Sequence, residues 1–187
     1  MKKVQLNDTY AYEDFITDEE QEELLLWTNN NSYLFKVNQT GSDLINAPYG
    51  SRKIGVLKNI KNSPLDLVNK IKDRVIELEG IKNWKEEPYF QDAIGINEEG
   101  GAIHTHIDPN DLGYVHVRYN IILSYPLDGG HSIYNGKINV LKEKLAWRCV
   151  AGKVAHGSIP VVGIKPRITL TLGFLIPETQ KVNKSLL

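Results

Sequence analysis

The second half of the chain alternates apolar and polar residues with a period of two. From about residue 89 onward, short β-rich runs are separated by Gly, Pro, Asn and Asp, which is typical of strands joined by tight turns. Asn135 and Gly136 lie between two such runs and form the dipeptide preferred by a type I′ hairpin turn. We expect strands near residues 90–97, 102–108, 115–125, 131–135, 137–141, 145–150, 153–156 and 166–176. Many short strands with tight turns predict a β-sandwich or jelly roll.

The first half of the chain carries two helical patterns. In ITDEEQEELLLWT, Thr17 and Glu20 have the spacing of a capping box at a helix N-terminus. In NSPLDLVNKIKDRVIELEG, we expect Ser63 to be the N-cap, Pro64 to take the first helical position and Gly80 to end the helix. The helices would cover one face of a sheet, to which YLFKV and KIGVLK would add edge strands. The fold class is therefore α+β and mainly β.

Length and composition favour a single domain. The 187 residues, of which 41% are apolar, suffice for one full core. We expect helical and edge-strand support in residues 1–88, a jelly-roll core in 89–177 and a C-terminal tail in 178–187. The longest apolar run, ITLTLGFLIP, is far shorter than a membrane span, and no secretory signal pattern is present. We expect a cytoplasmic protein without membrane contacts.

Cysteine content and charge exclude two further classes. The single cysteine, Cys149, rules out an internal disulfide framework, and its apolar neighbours predict that it is buried. The net charge is −1, with both signs spread along the chain. The absence of a dominant basic field argues against nucleic acid as a partner.

All five histidines lie between residues 104 and 156. In a strand, His104, His106 and Asp108 would project from one face, with neighbours roughly 6.5–7 Å apart. Either His104 with His106 or His106 with Asp108 can therefore converge on one metal ion. Pro109 tends to end the strand at Asp108, which places the second pair at the rim where a substrate could arrive.

The best candidate for a third ligand is His156, which a glycine follows. Two imidazoles and one carboxylate form a facial triad that leaves three coordination positions open. This arrangement is expected of non-haem Fe(II) oxygenases rather than of a closed zinc site. The pattern indicates a catalytic metal.

A polar strand face begins at Arg167. In KPRITLTLGF, Arg167, Thr169 and Thr171 alternate with apolar residues. Arginine suits bidentate binding of a carboxylate, so a dicarboxylic cosubstrate that chelates iron at its other end would account for Arg167 and the open metal positions. The alternative is a solvent-facing strand with a surface arginine.

His106-x-Asp108, His156 fifty residues later and Arg167 eleven residues after that closely resemble the iron(II)/2-oxoglutarate-dependent oxygenase superfamily, particularly its prolyl-4-hydroxylase-like branch. The resemblance covers FQDAIGI to TLGFLIP and, more loosely, YEDFITDEEQEELL. It implies a double-stranded β-helix with Fe(II) bound by the triad, and 2-oxoglutarate paired with Arg167 and assisted by Thr169. O2 would be the second cosubstrate and ascorbate a further candidate cofactor. Hydroxylation of a small molecule or of a peptidyl residue such as proline is the implied activity.

The strand VHVRYNIILSYP offers further candidates. If its polar set points inward, Arg118 and Asn120 line the pocket and bind the cosubstrate; if that set faces solvent, the apolar set forms the core. In related prolyl hydroxylases a tyrosine on this strand often contacts 2-oxoglutarate, but the comparable position here is Ile122. Halogenation is disfavoured, because related halogenases replace the carboxylate that Asp108 supplies.

The remaining candidates have simpler interpretations. We expect structural roles for His104 and His131 and core packing for Trp147. The segments 97–101 and 108–114 border the site and carry glycines, which makes them candidate gating loops whose acidic residues would favour a cationic substrate.

Two other functions fit the same pattern. A cupin-like metal enzyme without 2-oxoglutarate would use His104, His106 and His156, and would make Arg167 incidental. In a non-catalytic jelly-roll binding module, the row of His104, His106 and Asp108 would have no metal-binding role, and the protein would not bind stoichiometric Fe(II).

Overall fold

The computed structural model describes residues 1–38 and 48–180. Within these ranges two α-helices, α1 (Asp18–Asn31) and α2 (Leu65–Glu79), and two 3₁₀ turns, Ser32–Leu34 and Leu57–Asn59, accompany fifteen strands. The strands are β1 (Lys2–Gln5), β2 (Tyr10–Glu13), β3 (Lys36–Val37), β4 (Arg52–Val56), β5 (Lys85–Glu86), β6 (Asp92–Asn97), β7 (Ile103–His106), β8 (Tyr114–Ser124), β9 (Asp128–Gly129), β10 (Ser132–Tyr134), β11 (Lys137–Asn139), β12 (Ala146–Cys149), β13 (His156–Ser158), β14 (Val161–Val162) and β15 (Arg167–Pro177).

The strands form two antiparallel sheets and a short ribbon. The large sheet has the order β1-β2-β12-β8-β15-β6-β4-β3, and β5 pairs with β15 outside this path. The small sheet has the order β11-β10-β13-β7, and β14 pairs with β9 in the ribbon. This mainly β arrangement with two helices confirms the predicted jelly-roll class.

The large sheet is covered on both faces. On β15, Leu170 and Leu172 belong to the core cluster that also contains Leu24 of α1 and Ile71 of α2. The residues that alternate with them on β15, Arg167, Thr169 and Thr171, line a cavity bounded by the small sheet instead. Because alternate strand residues point to opposite faces, one sheet provides both the helix-side core and the cavity wall.

The helix ends agree with the sequence prediction at two of the four predicted residues. Thr17 caps α1, its side chain accepting a hydrogen bond from the Glu20 amide at 3.2 Å, and the reciprocal bond of the capping box is present. Gly80 ends α2 in the left-handed conformation, with φ of 61°. The predictions that Ser63 caps α2 and that Pro64 takes its first helical position are both wrong, because Pro64 is the N-cap and the helix begins at Leu65. The Ser63 hydroxyl instead donates to the Leu57 carbonyl at 2.8 Å.

Seven of the eight predicted strand segments contain a strand that corresponds to them, and the segment 153–156 is wrong. Its first residues form a turn, with the amides of Lys153 and Val154 donating to the Val150 carbonyl, and β13 begins only at His156. Strands β3 and β4 form the expected sheet edge, although β3 is shorter than YLFKV. The sequence did not predict five short strands, each of four residues or fewer: β1, β2, β5, β9 and β14.

Residues 181–187 of the predicted C-terminal tail lie outside the described part of the chain. None of the helices that the structure describes is long and apolar enough to cross a membrane.

Candidate functional site

A cavity of about 120 Å³ lies between the large and small sheets. Its walls combine side chains from β4, β6, β8, β12 and β15 on one side with β7 and β13 on the other. It is lined by Arg52, Lys53, Ile54, Phe90, Gly95, Asn97, Ile103, His106, Asp108, Arg118, Asn120, Trp147, His156, Gly157, Arg167, Thr169 and Thr171.

Three residues at one side of the cavity form a group that could hold a metal ion. Strand β7 pairs with β13 so that His106 lies opposite His156. Asp108 follows β7, and its amide donates to the Ala151 carbonyl at 2.8 Å. One potential ligand atom from each of His106, Asp108 and His156 lies within 4.8 Å of the others. The sequence left two ligand pairs open, His104 with His106 and His106 with Asp108. The structure brings the second pair together with His156, and His104 is not part of this group.

Backbone contacts orient both imidazoles. The Nδ1 of His106 lies 2.8 Å from the His104 carbonyl, and the Nδ1 of His156 lies 3.1 Å from the Val154 carbonyl. Since a carbonyl only accepts, each Nδ1 carries a proton, and Nε2 is the ring nitrogen that can bind a metal once it is unprotonated. Nε2 of His106 is 3.3 Å from Asp108 Oδ1, and Nε2 of His156 is 3.8 Å from Asp108 Oδ2.

The surroundings of these three residues shift the pKa of each side chain. Burial lowers the pKa of His156 to about 4, so this ring is neutral at pH 7. The hydrogen bond to Asp108 raises the pKa of His106. Burial alone would raise the pKa of Asp108, but His106 and Arg118 outweigh it and hold the pKa well below its ordinary value. At pH 7 the Asp108 carboxylate is therefore ionised and lies beside the neutral imidazole of His156.

Arg118 is held between two carboxylates. Its Nε donates to Asp108 Oδ2 at 2.8 Å, and its Nη2 lies 3.6 Å from Oε1 of Glu87. Glu87 is fully buried and accepts hydrogen bonds from the amides of residues 89–91. Buried His116 also lies close, with Nδ1 3.5 Å from Asp108 Oδ2. The polar face of β8 therefore points into the cavity, and Arg118 contacts the Asp108 carboxylate directly.

Arg167 is a buried cation without a counter-ion. It is only 5% exposed, and Nη2 donates to Ser132 Oγ at 3.0 Å while Nε has no hydrogen-bond partner among residues 1–38 and 48–180. No ion pair involves Arg167 in the described ranges. Burial lowers the pKa of Arg167 to about 10. The solvent-facing alternative for this strand is wrong, because the guanidinium lines the cavity.

The other candidates occupy the cavity wall or its surroundings. Thr169 lines the wall, as does Asn120, whose Oδ1 accepts a hydrogen bond from Thr171 Oγ1 at 2.9 Å. His131 stacks on Tyr125, whose hydroxyl is 2.7 Å from the His131 Nδ1. Buried Cys149 agrees with its prediction.

Sequence reasoning missed several wall residues, among them Trp147 and Phe90. Trp147 belongs to a buried core cluster, as expected, but also lines the cavity. Phe90 lines it as well, 5.6 Å from the Arg118 guanidinium. The strand period of two predicts that Trp147 and Arg148 point to different faces of the sheet. Only the pairing of β12 with β8 shows that Trp147 is the one that faces the cavity.

No protein-family model matches the sequence, and no curated protein matches it. Solved structures do match. A viral collagen prolyl hydroxylase from Paramecium bursaria Chlorella virus-1, in complex with 2OG, has 13% identity and a TM-score of 0.63 over 92% of this chain and 97% of its own. A Trichoplax adhaerens prolyl hydroxylase, in complex with a hypoxia inducible factor peptide fragment, has 16% identity and a TM-score of 0.67 over 96% and 88%.

The chain has the fold of these enzymes. The non-heme alpha ketoglutarate dependent epimerase SnoN from nogalamycin biosynthesis is also similar, with 12% identity and a TM-score of 0.67 over 92% of this chain and 79% of its own. The fold implied by the sequence resemblance is confirmed. Since enzymes of different reaction type share it, the fold alone does not assign the reaction.

Proposed function

We propose that the protein is a non-haem Fe(II)- and 2-oxoglutarate-dependent dioxygenase that hydroxylates a small molecule or a peptidyl residue such as proline. One observation carries this proposal: the cavity joins a group of His106, Asp108 and His156 to the buried guanidinium of Arg167, which has no ion pair with the described residues. A dicarboxylic oxo acid has a chelating end for a metal and a distant carboxylate for the arginine.

The residues present fit an Fe(II) ion. His106, Asp108 and His156 supply two imidazole nitrogen donors and one carboxylate, the donor set of a facial triad with open positions. When bound, the metal would couple O2 reduction to decarboxylation of 2-oxoglutarate, so that one oxygen atom enters succinate and the other hydroxylates the substrate. His104, which the cupin-like alternative requires, is not part of the group.

The chain itself would position and shield the reactants. Arg167 would bind the far carboxylate of 2-oxoglutarate, assisted by the Thr169 hydroxyl, and Asn120 would offer its amide. Arg118, which the sequence suggested as a cosubstrate ligand, would act mainly by orienting Asp108, since its Nε is engaged with that carboxylate. The two sheets would keep water from the reacting atoms.

A peptidyl or small-molecule substrate would enter from the open side of the cavity. The Trichoplax adhaerens structure contains a peptide fragment, which supports a peptidyl substrate. The proposal of a cationic substrate loses support, because two of the acids invoked for it are near lysines: Glu98 lies 2.9 Å from Lys53, and Asp111 lies 3.6 Å from Lys85.

Anaerobic titration of the metal-free protein with Fe(II) and then 2-oxoglutarate tests the function. We expect a saturable visible metal-to-ligand charge-transfer band that Asp108→Ala abolishes and Arg167→Ala weakens. Asp66→Ala, which removes a carboxylate from the first turn of α2, is the matched control and should leave the band unchanged.

Two results would contradict the proposal. Tight metal binding without a band would favour the cupin-like enzyme, and failure to bind stoichiometric Fe(II) would favour the binding module.

A further inference from the structure

Trp147 belongs to a row of residues that crosses the large sheet under the cavity. It pairs with Asn120 of β8, which in turn pairs with Thr171 of β15, and all three side chains line the cavity. Trp147 is only 4% exposed, and its Nε1 is buried without a hydrogen-bond partner in the described part of the chain. Buried N–H groups in folded proteins are nearly always paired. The fold therefore leaves this donor unexplained.

Trp27 of the same protein has a hydrogen-bond acceptor for its indole N–H. Its Nε1 donates to the Asn62 carbonyl at 3.0 Å. The Trp147 ring instead lies edge-on to Tyr134, with ring centroids 5.9 Å apart, inside a cluster of apolar side chains. This packing fixes the ring without supplying an acceptor for its N–H.

Asn120 provides a second donor beside the first. The Thr171 hydroxyl donates to Asn120 Oδ1 at 2.9 Å, which sets the orientation of the amide. No hydrogen bond from Asn120 Nδ2 to residues 1–38 or 48–180 is present. Two neighbouring donors in one cavity wall, neither with an acceptor among the described residues, fit a ligand oxygen that would accept from both.

The row lies towards the metal end of the cavity. On β8 the next residue with the same orientation as Asn120 is Arg118, roughly 6.6 Å along the strand, and Arg118 contacts Asp108. On β15, Thr171 is four residues from Arg167. A ligand oxygen at Trp147 therefore belongs to the end of the ligand that is distant from Arg167.

We propose that the Trp147 indole N–H, together with the Asn120 amide, binds the carboxylate that adjoins the keto group of 2-oxoglutarate. The inference rests on the proposed function and deepens it. Trp147 is then a specificity-determining residue: it selects 2-oxo acids over ketones that carry only the far carboxylate.

Trp147→Phe tests this assignment, since it keeps an aromatic ring and removes the N–H; Trp27→Phe is the matched control. Both variants, loaded anaerobically with Fe(II), are titrated with 2-oxoglutarate and with 4-oxopentanoate, in which a methyl group replaces the near carboxylate. We expect Trp147→Phe to weaken 2-oxoglutarate binding about tenfold or more, the loss of one hydrogen bond to a charged group, and to leave 4-oxopentanoate binding unchanged. Its melting temperature without ligand should not fall below that of wild type, because the lost N–H had no partner.

A measurement on the wild-type protein is independent of how the variant folds. In a ¹H–¹⁵N correlation spectrum of the Zn(II)-loaded protein, the indole signal of Trp147 should shift downfield on addition of 2-oxoglutarate, while the Trp27 signal stays in place. The variants assign the signals.

Three results would overturn the inference: unchanged 2-oxoglutarate affinity in Trp147→Phe, equal weakening of both ligands, or no shift of the Trp147 signal on saturation. If the wild-type metal-loaded protein does not bind 2-oxoglutarate at all, the proposed function fails and the inference fails with it. If wild type binds and the variant binds equally well, only the inference fails.

Discussion

Replacing Arg167 with methionine should increase stability while abolishing cosubstrate binding. Burial lowers the pKa of this guanidinium from 12.5 to about 10. At 1.36 kcal/mol per pKa unit, keeping it charged in the folded protein at pH 7 costs about 3 kcal/mol. Methionine removes that cost and loses the hydrogen bond to Ser132, which contributes about 1 kcal/mol. The free energy of unfolding should therefore rise by about 2 kcal/mol.

Calorimetry of the metal-free, ligand-free proteins measures this difference. A gain of about 2 kcal/mol corresponds to a melting temperature about 4–8 °C higher for a chain of this size. Because the folded pKa of Arg167 lies below the unfolded one, the advantage of Arg167→Met should be complete below pH 10 and shrink as the pH rises towards 12.5. Titration with 2-oxoglutarate in the presence of metal should stabilise wild type and leave Arg167→Met unchanged.

Arg148→Met is the control with the opposite sign. Burial would lower the pKa of Arg148, but the negatively charged groups around it, of which the Glu79 carboxylate is the one that acts at pH 7, outweigh burial and raise it. The folded protein therefore favours the charged form of Arg148, and the same substitution should lower the melting temperature. A melting temperature several degrees below wild type for Arg167→Met would refute the reasoning. The guanidinium would then stabilise the ligand-free fold, instead of destabilising it until an anion binds.

Two further predictions concern charged contacts. Arg118→Met removes the donor that orients Asp108 Oδ2, and we expect Fe(II) affinity to fall by about 10- to 100-fold in an anaerobic metal titration; unchanged affinity would contradict the orienting role. The hydrogen bonds from Arg74 lower the pKa of Glu20 to about 2. Because this lies below the unfolded value of 4.5, Glu20→Gln should lower the melting temperature at pH 7, and the difference should disappear as the pH falls towards 2. A difference independent of pH would contradict this.

Local sequence signals determined the elements and the order of the site residues. Alternation with a period of two marks a strand because successive side chains point to opposite faces, and it located seven strands between residues 92 and 177. The capping box at Thr17 was readable because both of its hydrogen bonds form within four residues. The prediction for Ser63 failed because its hydroxyl donates to the Leu57 carbonyl of the preceding turn. This partner is as local as a helix amide, and the sequence pattern does not show which of the two the hydroxyl will bond.

The tertiary structure decided which faces meet. Alternation shows that the two faces of β8 and β15 differ, but a polar face can equally line a cavity or meet solvent; here the helices cover one face and the small sheet encloses the other. Residues distant in sequence become neighbours only through strand pairing, which sets His106 opposite His156 and Trp147 opposite Asn120. The sequence by itself determined which side chains are available for chemistry. Their convergence on one cavity depends on long-range register, because a shift of one residue would turn each of them to the other face of its sheet.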